Sequence, residues 1–149
     1  MQPYFVPYIG YWQLMKAVDK FVVFDDVNYI RGGWINRNRI LFDHQPKYFN
    51  IPMCGASQNK LINEIMVDNN QKNIIKNLRL IETAYRKAPF YKEVYPLIEK
   101  IVNCGKTNIS DYIINSFGII CNYLDIKTEL IISSSLNKNC SLKAQDKIL

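Results

Sequence analysis

A chain of 149 residues, 48% hydrophobic and 21% charged, is long enough to bury one core, too short for two, and too apolar to be disordered. No apolar run approaches the ~20 residues of a membrane span, and Met1-Gln2-Pro3-Tyr4 lacks the basic start and apolar stretch of a signal peptide. The net charge of +6 raises nucleic acid as a partner, but lysine outnumbers arginine, and Lys72, Lys76, Lys87, Lys92 and Lys100 fall on the outer faces of expected helices, where solvation explains them. The expectation is a cytoplasmic protein, with no membrane insertion and no nucleic-acid partner.

In chain order, Tyr8 to Val18 reads as a short helix with apolar Trp12, Leu14, Met15 and Val18. Lys20 to Phe24 is a continuous β-prone run, the pattern of a parallel strand buried on both faces, and it ends in Asp25-Asp26. A polar loop follows from Asn28 to Asn38. Strands are predicted at Arg39 to Phe42 and Lys47 to Ile51, joined by the turn-like Asp43-His44-Gln45-Pro46. Cys54 to Lys60 reads as loop, and Leu61 to Val67 as a further strand.

The second half has helical periodicity. Ile74, Leu78, Ile81 and Tyr85 mark one face of a helix over Asn70 to Arg86, and Ala88-Pro89 interrupts it. Val94, Leu97, Ile98 and Ile101 resume the pattern over Tyr91 to Val102, which Gly105 ends. Asn108 or Ser110 can cap a third helix carrying Ile113, Phe117, Ile120 and Leu124. Thr128 to Ile132 reads as a strand running into Ser133-Ser134-Ser135, and Ser141 can cap a last helix through Leu149. Ile148 and Leu149 stop without a C-cap, and Met1 opens into Gln-Pro with no strand before it.

These elements predict an α/β fold: a Rossmann-like open, mostly parallel sheet in the N-terminal half with a small hairpin, and helices in the C-terminal half. Residues 1–149 form one domain, expected to lack an N-terminal strand and a C-terminal portion. Cys54, Cys104, Cys121 and Cys140 are widely spaced without a C-x-x-C pair, and His44 is the single histidine, so no metal site is expected.

The residues that carry chemistry concentrate in the first forty positions and one later turn. Gln2, Tyr4, Tyr8, Gly10 and Tyr11 lie in a Pro-, Gly- and Tyr-rich segment before the first helix. Its rings suit a sugar or base, and the free N–H groups at the helix start favour an anion. Asp25 and Asp26 end a strand, where open α/β sheets bind ligands. Such a pair can orient hydroxyls, hold magnesium, or supply a base, although aspartate is also a common turn residue. Arg31, Trp34, Asn36, Arg37 and Arg39 form the densest arginine site in a lysine-biased chain. Planar guanidinium groups there grip phosphate or carboxylate in a way lysine cannot copy.

The same residues carry a family resemblance. The run from Met1 to Leu14 (MQPYFVPYIGYWQL), then Asp25-Asp26-Val27 and Trp34-Ile35-Asn36-Arg37-Asn38-Arg39, resembles the N-terminal signature of the WbqC-like protein family. Tyr85-Arg86-Lys87-Ala88-Pro89-Phe90 and Ser133-Ser134 are similar to later segments of that family. The resemblance implies a bacterial protein linked to gene clusters for O-antigen and other surface polysaccharides, making or decorating an activated sugar. It supplies motif positions and no residue roles. A weaker similarity, to nucleotidyltransferases of the H-x-G-H type, places Tyr8-Ile9-Gly10-Tyr11 at their helix-initiating motif with both histidines replaced. Ser133-Ser134 then falls at their phosphate-contacting turn.

The leading reading is a transferase acting on a phosphorylated or nucleotide-linked sugar, or on its acyl or aminoacyl donor. Asp25 or Asp26 would be catalytic, with Ser133, Ser134 and the N-terminal and arginine-loop residues binding substrate. The cofactor is open, with magnesium accompanying a nucleotide-linked substrate as one option, and so is the oligomeric state. The alternatives are a non-catalytic nucleotide- or sugar-binding module and a degenerate nucleotidyltransferase-like enzyme.

Overall fold

The computed structural model describes residues 1–137; the helix expected from Ser141, and Cys140, lie outside them. The chain is mixed α/β. Four helices, α1 (Ile9–Lys16), α2 (Gln71–Tyr85), α3 (Tyr91–Val102) and α4 (Ile109–Tyr123), are joined by six short strands. These are β1 (Lys20–Val23), β2 (Arg37–Phe42), β3 (Gln45–Asn50), β4 (Met53–Cys54), β5 (Met66–Val67) and β6 (Glu129–Ile132).

The strands do not merge into an open Rossmann-like sheet. Among the described residues they form three two-stranded sheets: parallel β1–β6, the antiparallel hairpin β2–β3, and antiparallel β4–β5. In the parallel pair Lys20 faces Glu129 and Val23 faces Ile132. On the other edge of β1, Met1 donates its amino group to the Val22 carbonyl at 2.7 Å and accepts the Phe24 N–H at 2.7 Å, one parallel link. β1 is not buried on both faces as its apolar run suggests. Phe21 and Val23 are buried while Lys20 and Val22 are exposed, because helices cover only one face of the pair.

That covered face holds the core. Tyr11 lies 5.4 Å from Phe21 and 5.5 Å from Phe117 between ring centroids, and Trp12 meets Phe117 edge-on at 5.6 Å. Helix α4 is the central element, burying Ile109, Tyr112, Ile113, Phe117 and Cys121. Asn108 caps it by accepting the N–H groups of Ser110 and Asp111. Asn70 caps α2 through the Lys72 N–H.

The hairpin is tighter than its sequence suggests. Its turn is Asp43-His44 alone, with φ of 48° and 58°, and both strands extend to meet it. The strand expected over Leu61 to Val67 is mostly a 3₁₀ turn, Ile62–Glu64, leaving only Met66–Val67 extended. Here Ile62 donates to the Val27 carbonyl and Ile65 accepts from Ile109, so the segment is tied to two neighbours rather than laddered along one. No helix of the described residues is long and apolar enough to cross a membrane.

Candidate functional site

Because β1 and β6 are parallel, their carboxyl ends lie together, and the residues that follow each strand meet there. Asp25 is only 2% exposed, and its carboxylate is the hub of this junction. One oxygen accepts the Ser134 N–H at 2.9 Å, and the other accepts the Ser134 hydroxyl at 2.8 Å and the Ser110 hydroxyl at 3.2 Å. Ser110 is in the first turn of α4, so the carboxylate also sits where the helix dipole favours negative charge. Asp26, less deeply buried, accepts the Ser133 hydroxyl at 2.7 Å. Nearby, Asn63 donates its N–H to the Asp25 carbonyl and accepts at its own carbonyl from the Asn108 side chain. The buried Asn63 Oδ1 has no hydrogen-bond partner among the described residues.

The arginine loop is locked from within. Arg37 donates Nε to the Gly33 carbonyl at 3.1 Å and a terminal nitrogen to the Gly32 carbonyl, and its guanidinium stacks 4.7 Å above the Tyr48 ring. Gly32 adopts φ +79°, which puts its carbonyl within reach of that guanidinium. Asn36 accepts the Tyr29 hydroxyl at 3.0 Å and donates to the Ile51 carbonyl at 3.1 Å. Asn38 donates to the Val6 carbonyl at 2.6 Å, holding a β-branched residue at φ 42°, a strained conformation for valine. Arg39 is different: it is exposed, with its guanidinium 5.1 Å above the ring of Trp34, itself 37% exposed.

Two clefts meet at this arginine. The first, of about 450 Å³, is lined by Tyr4, Pro7, Tyr8, Trp34, Asn38 and Arg39. The second, of about 530 Å³, runs from Tyr8 and Arg39 between the hairpin and helices α2 and α3, past Phe49, Tyr85, Phe90, Tyr91 and Tyr95. Pro7, Tyr8, Asn38 and Arg39 line both, so the two form one groove with a cationic end and an aromatic end. Tyr8 stands 69% exposed in it. Gly10 leaves room for the Tyr8 ring, since a Cβ there would fall 2.5 Å from its edge.

The structure thus brings the expected residues together in two groups. Asp25, Asp26, Ser133 and Ser134 converge at the strand ends, whereas Tyr4, Tyr8, Trp34 and Arg39 converge in the groove. Met1 bonds beside β1 and Tyr4 lines the groove, so the two residues between them, Gln2 and Pro3, bridge the groups over at most about 11 Å. Tyr11 is in neither. It is 1% exposed, and its hydroxyl donates to the Gln2 carbonyl at 2.9 Å. Burial pushes its phenol well above the ordinary tyrosine range. Gln2, Asn36 and Arg37 brace the backbone, and Arg31 is exposed. Sequence reasoning gives Ser110, Asn63 and the tyrosines of α2 and α3 no place in a site. The cue for Tyr85, Tyr91 and Tyr95 was the spacing of aromatic rings on either side of Ala88-Pro89.

No group of three or more His, Cys, Asp or Glu side chains capable of holding a metal gathers among the described residues. Both Asp25 oxygens already accept hydrogen bonds, one from the Ser134 N–H and the other from the Ser134 and Ser110 hydroxyls.

Comparison with known proteins gives two matches. The model of the WbqC-like protein family matches residues 2–149. The chain is also 28% identical over 132 residues to the uncharacterized protein Rv1507c of Mycobacterium tuberculosis, a match covering 87% of this chain and 57% of that protein. The chain therefore spans a little over half the length of that curated relative. No solved structure matches.

Proposed function

The chain belongs to the WbqC-like protein family, and from that membership and the groove geometry we propose that it is a transferase acting on a phosphorylated or nucleotide-linked sugar in the making of a bacterial surface polysaccharide. The observation that carries this reading is the single groove that joins Arg39 and Trp34 to the aromatic wall of Tyr8, Tyr85, Tyr91 and Tyr95. An exposed guanidinium at one end and ring faces along the rest match a ligand that is anionic at one end and flat or cyclic at the other. Arg37 spends two donors on its own loop, so the role of leading anion contact falls to Arg39.

In this reading an acceptor hydroxyl or amine attacks the electrophilic carbon of the donor. With the substrate reaching from the groove to the strand ends, the attacking group's proton passes to Asp26, while the leaving group departs with the bonding pair and Arg39 offsets its charge. Asp25 positions rather than reacts, because Ser110 and Ser134 occupy its oxygens. That occupancy is also the observation favouring the second reading, a binding module without chemistry.

The test is calorimetry with a panel of nucleotide-linked sugars, followed by mass spectrometry for transfer to hydroxyl and amine acceptors. Binding lost in both Arg39→Ala and Tyr8→Ala, with transfer lost in Asp26→Asn, is the expected result. Binding with no transfer to any acceptor selects the binding module, and a panel without a ligand overturns both.

A further inference from the structure

A second cleft, of about 480 Å³, lies between the hairpin and helix α2 and shares no lining residue with the aromatic groove. Three cations line it from two elements: Lys47 on β3, and Lys76 and Arg79 on α2. No carboxylate lines it. Sequence alone places Lys76 on a solvated helix face; the fold sets it and Arg79 across a concave wall from Lys47.

Three observations indicate that this cleft is built for an anion. The first is charge without compensation. The ion pairs among the described residues, Lys20 with Glu129 and Lys127 with Asp125, involve none of the three cations. Lys72 and Lys76 are spaced i,i+4 and Lys76 and Arg79 i,i+3, like-charge neighbours that cost the helix stability. The second is ring surface. Tyr48 remains 49% exposed with Arg37 stacked on it, and the Lys47 ammonium lies 4.4 Å above the Phe42 ring, held at the cleft wall. The third is an amide already oriented. Asn77 donates to the Asn50 carbonyl at 2.9 Å, which fixes its side chain in the cleft. The volume is that of a small-molecule site, and the cations converge from two walls rather than running along a convex stripe.

We propose that this cleft binds a nucleoside phosphate: Lys47, Lys76 and Arg79 hold the phosphates, and the Tyr48 ring receives the base. The site goes beyond the groove reading, because it is a separate pocket that either binds or fails to bind independently of Arg39.

The experiment is titration of the full chain with uridine diphosphate and with inorganic pyrophosphate at two salt concentrations, repeated on Lys76→Ala/Arg79→Ala, Tyr48→Ala and Arg39→Ala. All three variants change exposed side chains, and thermal melting confirms that each is folded. The expected result is binding that weakens with salt and falls roughly tenfold or more in Lys76→Ala/Arg79→Ala. Tyr48→Ala should weaken the nucleotide more than pyrophosphate, and in Arg39→Ala, with the groove's own anion contact removed, one binding event sensitive to Lys76→Ala/Arg79→Ala should remain. Loss of binding in Arg39→Ala with no change in Lys76→Ala/Arg79→Ala would assign the anion to the groove and overturn the proposal. So would an oligonucleotide that binds far tighter than the diphosphate, because the surface would then be a polyanion interface.

Discussion

Asp25 accepts two hydrogen bonds from a single residue, Ser134, one from its backbone N–H and one from its hydroxyl. This pair ties the end of β1 to the end of β6, and Ser110 ties α4 to both. Removing the carboxylate strands these donors in a buried place. Asp25→Ala should therefore cost about 2–4 kcal/mol of stability in urea denaturation, and Ser134→Ala about 1 kcal/mol. By contrast, Asp26→Asn should lower transfer turnover by roughly a hundredfold or more while leaving donor affinity unchanged. An Asp25→Ala protein as stable as the parent would mean that the junction is not a clamp.

The two arginines of the loop separate by readout. Arg39→Ala should weaken ligand binding about ten- to a hundredfold with the melting temperature retained. Arg39→Lys should rescue little, because the planar fork and the stack on Trp34 are both lost. Arg37→Ala should destabilise the fold by about 1–2 kcal/mol, since the Gly32 and Gly33 carbonyls lose their donor and Tyr48 its stacked cation. The reverse pattern, with Arg37 governing affinity and Arg39 stability, would contradict the geometry.

The hairpin turn is strained by its own residues. Asp43 and His44 both hold positive φ, which glycine adopts without penalty. His44→Gly should stabilise the protein by about 0.5–1 kcal/mol, and Asp43→Asn combined with it somewhat more. A destabilised His44→Gly in a chemical melt would argue for a different turn.

High pH should unfold the protein through buried tyrosines. Burial holds the phenols of Tyr11 and Tyr112 well above the ordinary value of 10.0. In the folded chain they stay protonated while the unfolded chain loses those protons. Their contribution is therefore fully present below about pH 10 and is lost as pH rises through the folded-state values. Tyr11→Phe should give up the hydrogen bond to Gln2, costing about 1 kcal/mol at neutral pH. Above pH 10 its stability should fall less steeply than that of the parent, and equal slopes would refute the linkage.

Local features of the chain announced much of this. The 3.6-residue spacing of Ile74, Leu78, Ile81 and Tyr85 marks α2, and Asn70 and Asn108 cap α2 and α4, because helix periodicity and capping involve neighbours in sequence. The meeting of Asp25 and Asp26 with Ser133 and Ser134 follows from two parallel strands each ending in polar residues. The hairpin turn and the 3₁₀ turn at Ile62–Glu64 were hidden. The first carries no glycine to betray its positive φ, and the second is shaped by Val27 and Ile109, distant in sequence.

The sequence by itself determined the α/β class, the extents of the helices, the family, and the short segments in which polar and aromatic residues concentrate. Each of these rests on propensity, periodicity or an unbroken motif, which are properties of nearby residues. Only the tertiary structure decided what the side chains are for. Tyr11 and Tyr8 lie three residues apart in one motif, yet packing against Phe21 and Phe117 commits Tyr11 to the core and leaves Tyr8 in the groove. Arg37 and Arg39 stand two positions apart on β2, yet the Gly32 and Gly33 carbonyls claim the first while Trp34 holds the second at the cleft. The distinction lies in which partners reach each side chain, and those partners arrive only when distant segments pack together.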